Sequence, residues 1–252
     1  MYKVIIIDDE EAVVDELKKA ADWKRYGCTV VASACDASSG AVAVRTYEPE
    51  ILFTDIRMPG QDGLTMLAGL RSEFPDMRVT VLTGFNDFEY AQRVIEFGVS
   101  RRLLKPFKMD EINEALRFMT DKLSEKNGIS QQGEKEDSVE ITANSFIVRK
   151  ATAYMEEHYA EKLTLQDVAD QCYVSQWHLS KLINKNTQMS FYDLLNHIRI
   201  KAACRLLDDP EFQIADICYK VGYADTAHFS RIFKKVEGIT ADEYRNQRKR
   251  IN

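Results

Sequence analysis

Short apolar runs alternate with stretches of helical periodicity over the first 122 residues, and this alternation limits the fold more than any other feature. Short apolar runs predict buried strands, and apolar residues spaced three or four apart predict amphipathic helices. The predicted strands are Val4–Ile7, Thr29–Ala32, Ile51–Phe53, Val79–Leu82 and Leu103–Leu104. The predicted helices are Ala12–Ala21, Ser38–Tyr47, Leu64–Glu73, Phe88–Phe97 and Asp110–Lys122. Five successive β-α units predict an α/β domain with a doubly wound parallel sheet.

The composition changes after this region. The segment "SEKNGISQQGEKEDSVE" (124–140) is polar and almost without large apolar residues, which is typical of a linker. We therefore predict domains at 1–122 and 144–252, joined by a linker at 123–143. From Asn144 onward the pattern is helical, with capping pairs at Thr164 and Asp167, Ser190 and Asp193, and Thr240 and Glu243.

The second half of the chain contains an internal repeat. "HLSKLINKNTQMSFYDLL" (178–195) aligns with "HFSRIFKKVEGITADEY" (228–244), and "LQDVADQC" (165–172) aligns with "IADICYKV" (214–221). Each copy is a short helix, a turn and a second helix, so the repeat predicts an all-α domain with two helix-turn-helix units. A helix at Ser190–Leu207 would join the two helix-turn-helix units over about 27 Å. One turn of DNA is about 34 Å, so a spacer of this size could set the second helices of the two units in successive grooves.

Charge and cysteine content narrow the functional classes. The net charge is −6, but the last 109 residues carry about +2 and end in the basic stretch "YRNQRKR", so acidity does not argue against nucleic acid for that half. No long apolar run predicts a membrane span, and the N-terminus does not resemble a signal peptide. Five cysteines without a C-x-x-C pair favour a reduced, cytoplasmic location.

Polar residues stand where four of the five predicted strands end. Asp8 and Asp9 follow the first strand, Asp55 the third, Thr83 the fourth and Lys105 the fifth. In a doubly wound sheet these ends share one edge, where ligands bind. Three carboxylates at such short distances repel one another unless a cation lies among them. Oxygen ligands of this kind suit Mg²⁺. With a metal and a lysine beside it, Asp55 could act as a nucleophile toward a phosphoryl group.

The stretches "VIIIDDEE", "TDIRMPGQDG", "LTGFNDFEYA" and "LLKPF" resemble the receiver domain of bacterial response regulators. The resemblance covers residues 2–122 and implies a five-stranded parallel sheet of order 2-1-3-4-5. It also implies that Asp55 accepts phosphate from a sensor histidine kinase, and that Thr83 and Lys105 contact the phosphoryl oxygens. The Mg²⁺ ligands implied are Asp8, Asp9, Asp55 and the backbone carbonyl of Arg57.

One position departs from the receiver pattern. Receivers of this type usually carry an aromatic switch residue three positions before the lysine, where this chain has Arg102. The coupling between Thr83 and residue 102 that would report phosphorylation is therefore left open by the sequence. Arg101 and Arg102 either form a charged dimer edge or are simply solvated.

The second helix of each repeat has an apolar stripe and a polar face. Leu179, Leu182 and Ile183 form the stripe of the first, and Phe229, Ile232 and Phe233 that of the second. Long donors on the opposite face suit contacts with base edges and phosphates in a major groove. The predicted DNA-contacting residues are Gln176, Trp177, Ser180, Lys181, Thr226, Ala227, Ser230, Arg231 and Lys234.

The stretches "LTLQDVADQCYVSQWHLSKLINKNTQMSF", "RIKAACRLL" and "ICYKVGYADTAHFSRIFKKVEGITADEYR" resemble the AraC-type DNA-binding domain over residues 144–250. Two local departures are Gln188, where a glycine is usual, and Ala241, where a proline is usual.

Together these features predict a two-component response regulator that controls transcription and is not an enzyme. Its expected partners are a sensor histidine kinase, a double-stranded DNA operator and, on phosphorylation, a second copy of the chain; RNA polymerase is a further candidate, and no membrane association is expected. The alternative is a phosphorylation-independent DNA-binding regulator whose receiver is only a dimerisation module.

Overall fold

The fold is that of a computed structural model, which describes residues 1–58, 62–84, 94–126, 133–209 and 211–249. They form two compact units, one built mainly from residues 1–147 and the other mainly from residue 148 onward. Among the described helices, none is long and apolar enough to cross a lipid bilayer.

The first unit contains a five-stranded sheet in which every strand pair is parallel. Its strands are β1 (Tyr2–Ile7), β2 (Cys28–Ala34), β3 (Ile51–Asp55), β4 (Arg78–Thr83) and β5 (Arg101–Leu104). The order β2-β1-β3-β4-β5 confirms the predicted topology. In the register, Ile7 lies opposite Thr54, and Thr83 lies opposite Leu104. The carboxyl ends of β1, β3, β4 and β5 therefore meet along one edge of the sheet.

Helices cover the sheet because its central strands are apolar on both sides. The helices are α1 (Glu11–Ala20), α2 (Ala37–Tyr47), α3 (Gly63–Glu73) and α4 (Met109–Lys126). Ile6 and Phe53 pack with Leu17 of α1 and Leu116 of α4 in one fully buried cluster. The helix predicted at Phe88–Phe97 lies largely outside the described residues, of which 94–96 are helical.

Several element boundaries differ from the sequence prediction, among them those of β5 and of the predicted linker. β5 begins at Arg101, two residues early, because an edge strand can carry exposed arginines and still pair with β4. Helix α5 (Gly133–His158) occupies residues 133–143 of the segment predicted as a linker. That segment has few apolar residues to bury, yet its glutamates and lysine are good helix formers. The domain limits 1–122 and 144–252 stay a prediction.

The second unit is entirely helical in its described residues and repeats as predicted. After α5 come α6 (Leu165–Gln171), α7 (Gln176–Thr187), α8 (Phe191–Leu207), α9 (Ile214–Lys220), α10 (Thr226–Glu237) and α11 (Ala241–Lys249). The first helices of the two repeats both have 7 residues, and the second helices both have 12. The joining helix α8 has 17 residues, close to the predicted 18, and spans about 26 Å.

All three predicted capping pairs are formed. The amide of Asp167 donates to Thr164 Oγ1 at 3.2 Å, and the amide of Thr164 donates back to Asp167 Oδ2 at 2.8 Å. The amides of Asp193 and Glu243 likewise donate to the hydroxyls of Ser190 and Thr240. These bonds satisfy amides that lack a partner inside the helix, and so they fix where α6, α8 and α11 begin.

Candidate functional site

The strand-end residues named from the sequence come together around Lys105. Its Nζ lies 2.6 Å from Asp55 Oδ2 and 2.7 Å from Asp8 Oδ2. Asp8 directly follows β1, Asp55 is the last residue of β3 and Lys105 directly follows β5, so the parallel sheet itself delivers all three groups to one edge. The second oxygen of Asp55 accepts a bond of 2.8 Å from the amide of Arg57.

Burial sets the electrostatics of this cluster. Asp8 is fully buried and Asp55 is nearly so, whereas Asp9 is exposed. Burial raises the pKa of Asp8 above its usual value, although Lys105 and the Glu10 amide act to lower it. Burial also acts to lower the pKa of Lys105, but its bonds with Asp55 and Asp8 outweigh burial and raise that pKa. The lysine is therefore charged at neutral pH.

The acidic residues fit a small divalent cation. Asp8, Asp9 and Asp55 each offer a carboxylate oxygen, and these oxygens lie within 4.8 Å of one another. Asp8 Oδ2 is buried and lies 2.7 Å from Lys105 Nζ, so the lysine holds one oxygen of this donor set in place. An oxygen-only, anionic donor set of this kind is what Mg²⁺ prefers. The role of the Arg57 carbonyl stays a prediction.

Thr83 and Arg102 occupy different environments. Thr83 is buried at the end of β4, and its hydroxyl donates to the carbonyl of Leu103 on β5 at 3.4 Å. Arg102 is exposed on β5, where it lies opposite Val81. Its neighbour Arg101 stacks over the ring of Phe118 at 4.4 Å and is also exposed. Arg102 therefore does not occupy a buried pocket of the kind that an aromatic side chain could fill.

Sequence reasoning missed Glu10. Its Oε1 lies 3.3 Å from Lys105 Nζ, which makes it the third carboxylate on that ammonium. The acidic run "DDEE" was a signal, but Glu10 follows the strand end and its direction depends on the side-chain rotamer. Sequence position alone could not distinguish it from Glu11.

The two recognition helices, α7 and α10, present the predicted faces. Leu179, Leu182 and Ile183 are buried in the first, and Phe229 and Phe233 are buried in the second, with Ile232 half-buried. Every predicted DNA-contacting residue is exposed, namely Gln176, Trp177, Ser180, Lys181, Thr226, Ala227, Ser230, Arg231 and Lys234. Their sequence assignment to an outer face is thus consistent with the structure, while contact with DNA stays a prediction.

Trp177 is the most unusual of these exposed residues. It is 72% exposed, and the ammonium of Lys181 lies 5.2 Å from the centre of its ring. An exposed tryptophan forgoes the favourable free energy of burying its ring. The attraction between the Lys181 ammonium and the ring is a cation–π interaction. The pair presents a flat apolar surface and a positive charge on one face of α7.

Two arginines hold the helix-turn-helix units together and were not found from the sequence. Arg199 of α8 donates to the carbonyls of Tyr159 and Glu161, at 2.8 and 2.9 Å, just before α6. Arg245 of α11 donates to the carbonyls of Leu207 and Phe212, at 3.3 and 2.8 Å, just before α9. In each repeat, therefore, the helix after the recognition helix ties down the segment that leads into the repeat.

Comparison with known proteins places both units in described families. The family model "Response regulator receiver domain" matches residues 4–117, and the model "Helix-turn-helix domain" matches residues 168–247. The transcriptional regulatory protein HptR of Staphylococcus aureus is 28% identical over 259 residues, which cover 99% of this chain and 100% of that protein.

Two solved structures from Geobacillus stearothermophilus are also similar. The receiver domain of AraT, a response regulator, is 32% identical, covers 50% of this chain and 98% of its own, and has a TM-score of 0.49. The C-terminal domain of AraT is 38% identical, covers 40% of this chain and 84% of its own, and has a TM-score of 0.38.

Proposed function

Because this chain is a response regulator in which a receiver domain precedes an AraC-type helix-turn-helix domain, we propose that phosphorylation of Asp55 controls its binding to DNA. The observation that carries the proposal is the meeting of Asp55, Lys105 and the acidic cluster at one sheet edge. A sensor histidine kinase would be the physiological donor, and a double-stranded operator in the cytoplasm the target.

The phosphoryl group would be accepted by the Asp55 carboxylate. An oxygen of Asp55 attacks phosphorus, and the bond from phosphorus to the donor breaks. Lys105, already 2.6 Å from Asp55 Oδ2, would pair with a phosphoryl oxygen, and the Thr83 hydroxyl would donate to another. Asp8, Asp9, Asp55 and the Arg57 carbonyl would hold Mg²⁺, which neutralises charge on the phosphoryl group. The protein modifies only itself, so it is not an enzyme in the usual sense.

We propose that phosphorylation then promotes homodimerisation through the face formed by the predicted Phe88–Phe97 helix, β5 and α4. Support comes from Thr83, whose hydroxyl already bonds to the Leu103 carbonyl on β5. If Thr83 turns toward the phosphoryl group, that bond breaks and β5 is free to adjust. Leu104 offers an exposed apolar side chain on the same strand. RNA polymerase remains a candidate partner of the DNA-bound dimer.

The presence of Arg102 at the switch position favours an alternative function, in which DNA binding is independent of phosphorylation. It is exposed on β5, where an aromatic switch residue is usual, so Thr83 lacks the ordinary partner. In this alternative the receiver only dimerises, and DNA binding does not depend on phosphate.

The proposed modification is tested by mass spectrometry of the full chain after incubation with acetyl phosphate and Mg²⁺. We expect one added phosphoryl group on the wild-type protein and none on Asp55→Asn. Asp15→Asn, which changes an exposed carboxylate of α1, is the matched control and should label like wild type. Label that persists in Asp55→Asn would remove Asp55 from this role, and an unlabelled wild type would favour the phosphorylation-independent alternative.

A further inference from the structure

Glu10 makes a contact that neither its helix nor the phosphoacceptor role of Asp55 requires. It precedes the first residue of α1, yet among the described residues its carboxylate makes no capping bond to that helix. The carboxylate turns instead to Lys105, at 3.3 Å. Its own amide donates to Asp8 Oδ1 at 3.0 Å, which anchors the Glu10 backbone beside the acidic cluster.

The attraction of a helix N-terminus for acids does not explain this orientation. Glu10 and Glu11 both lie at the start of α1, where either would benefit from the helix dipole. The described carboxylates in ion-pair contact with Lys105 are those of Asp8, Glu10 and Asp55, so Glu11 is not one of them. The structure thus supplies a neighbouring residue of identical chemistry that lacks the contact.

The three carboxylates that contact Lys105 differ in how much it costs to break each ion pair. An ammonium has three donors, and three carboxylates surround this one. Asp8 is fully buried and Asp55 nearly so, and releasing either would leave a buried charge unpaired. The Glu10 side chain is 62% exposed and can be rehydrated at small cost. Glu10 is therefore the partner that Lys105 can exchange most easily for an incoming phosphoryl oxygen.

We propose that Glu10 is a positioning residue that restrains the phosphorylation of Asp55. In the unphosphorylated protein it occupies one donor of Lys105 and adds negative charge at the open side of the site. Both effects oppose an anionic phosphodonor, and Lys105 exchanges Glu10 for a phosphoryl oxygen as the group arrives. The inference rests on the proposed function, because it concerns the rate of that same transfer.

The reaction with acetyl phosphate is balanced without a further reagent. An Asp55 oxygen forms a bond to phosphorus, the bond from phosphorus to the acetyl oxygen breaks, and acetate leaves with that electron pair. No net oxidation or reduction occurs. Glu10 forms and breaks no covalent bond in this step, so its effect must appear in the rate and not in the product.

The test compares Glu10→Gln with Glu11→Gln in the full chain, at Mg²⁺ concentrations shown to saturate each variant. The two substitutions are isosteric and remove the same charge from adjacent positions. We expect Glu10→Gln to be phosphorylated by acetyl phosphate about three- to tenfold faster than wild type, and Glu11→Gln to stay within about twofold. The increase should shrink near 1 M salt, where the screening length is about 3 Å.

The outcomes separate this inference from the proposed function. Equal rates for the two variants, or a slower Glu10→Gln, would overturn the role of Glu10 while leaving Asp55 as the phosphoacceptor. An increase that persists unchanged at high salt would also overturn it, because that result would show a structural and not an electrostatic cause. Failure of the wild-type protein to label on Asp55 would instead contradict the proposed function itself.

Discussion

At the residue scale, the acidic side chains of the site differ in burial and therefore in how much their charge destabilises the folded state. Asp8 is buried and contacts Lys105, Asp9 faces solvent, and Asp55 is nearly buried at the end of β3. A buried carboxylate without a metal is costly to the folded state, whereas an exposed one is not. A bound cation would offset this loss of stability, so the loss should become measurable when divalent cations are absent.

We predict that Asp8→Asn stabilises the protein in metal-free buffer at neutral pH. Burial raises the pKa of Asp8 above its usual 3.8 in the folded state. Protonated Asp8 therefore contributes to the free energy of unfolding. That contribution is fully present below the pKa of Asp8 in the unfolded state and is lost as the pH rises through its pKa in the folded state. Asparagine removes the neutral-pH penalty, so the gain should be present at pH 7 and vanish toward pH 3.8. Urea unfolding at several pH values measures it, and a loss of stability at pH 7 would contradict this account.

A second residue-scale prediction concerns two equivalent helix ends. Gln188 ends α7 in the left-handed region with φ of 58°, and Gly238 ends α10 at the corresponding position with φ of 78°. An added Cβ at Gly238 would meet no atom within 4 Å, so Gly238→Ala should lose stability, by about 1 kcal/mol, through backbone strain alone.

Gln188→Gly should change stability in the opposite direction. Relief of backbone strain stabilises the variant, but the bond from Gln188 Nε2 to the Lys185 carbonyl is lost, so a gain below about 1 kcal/mol is expected. Thermal unfolding of both variants measures the difference. A destabilised Gln188→Gly would show that this side-chain bond outweighs the strain.

At the element scale, what the sequence predicted and what it missed have different physical origins. The strands and the three capping pairs followed from local patterns, because each depends on residues a few positions apart. The repeat followed from the similarity of two segments about 50 residues apart. The helix at residues 133–143 was missed because polarity excludes burial but does not exclude helical hydrogen bonds. Arg199 and Arg245 were missed because they bond to carbonyls 33 to 40 residues away, which leave no periodic signal.

The predicted reading of DNA belongs to the recognition helices. Lys181 of α7 and Arg231 of α10 are exposed at equivalent positions, so each should reach a base edge or a phosphate of its own major groove. If Arg231 contacts a guanine with two donors, Arg231→Ala should cost about 1–3 kcal/mol of binding free energy and relax preference at one base pair.

Lys181 has a single ammonium held over Trp177 and is expected to contact phosphate. Lys181→Ala should therefore weaken binding to every sequence and reduce the salt dependence by about one unit. Binding to single-base variants of the operator at two salt concentrations distinguishes these results. If neither alanine variant alters affinity or preference, the recognition faces are wrongly assigned.

At the scale of the whole molecule, phosphorylation should change the oligomeric state. We predict that the phosphorylated protein dimerises, and that Leu104→Glu, on the exposed edge of β5, weakens the dimer at least about tenfold by introducing a charge. Val42→Glu is the matched control, because Val42 is an exposed apolar residue on α2 and lies outside the proposed dimer face. Sedimentation with and without acetyl phosphate measures this. A monomer at micromolar concentration in both states, or equal effects of the two variants, would contradict the proposed face.

The central claim is that phosphate on Asp55 controls binding to DNA, and one titration tests it most directly. The full chain and Asp55→Asn are each titrated, with and without acetyl phosphate and Mg²⁺, against a duplex selected by the protein from its own genome. We expect phosphorylation to tighten binding of the wild-type protein by about tenfold or more and to leave Asp55→Asn unchanged. Equal affinities for the phosphorylated and unphosphorylated wild-type protein would contradict the claim and support a receiver that only dimerises.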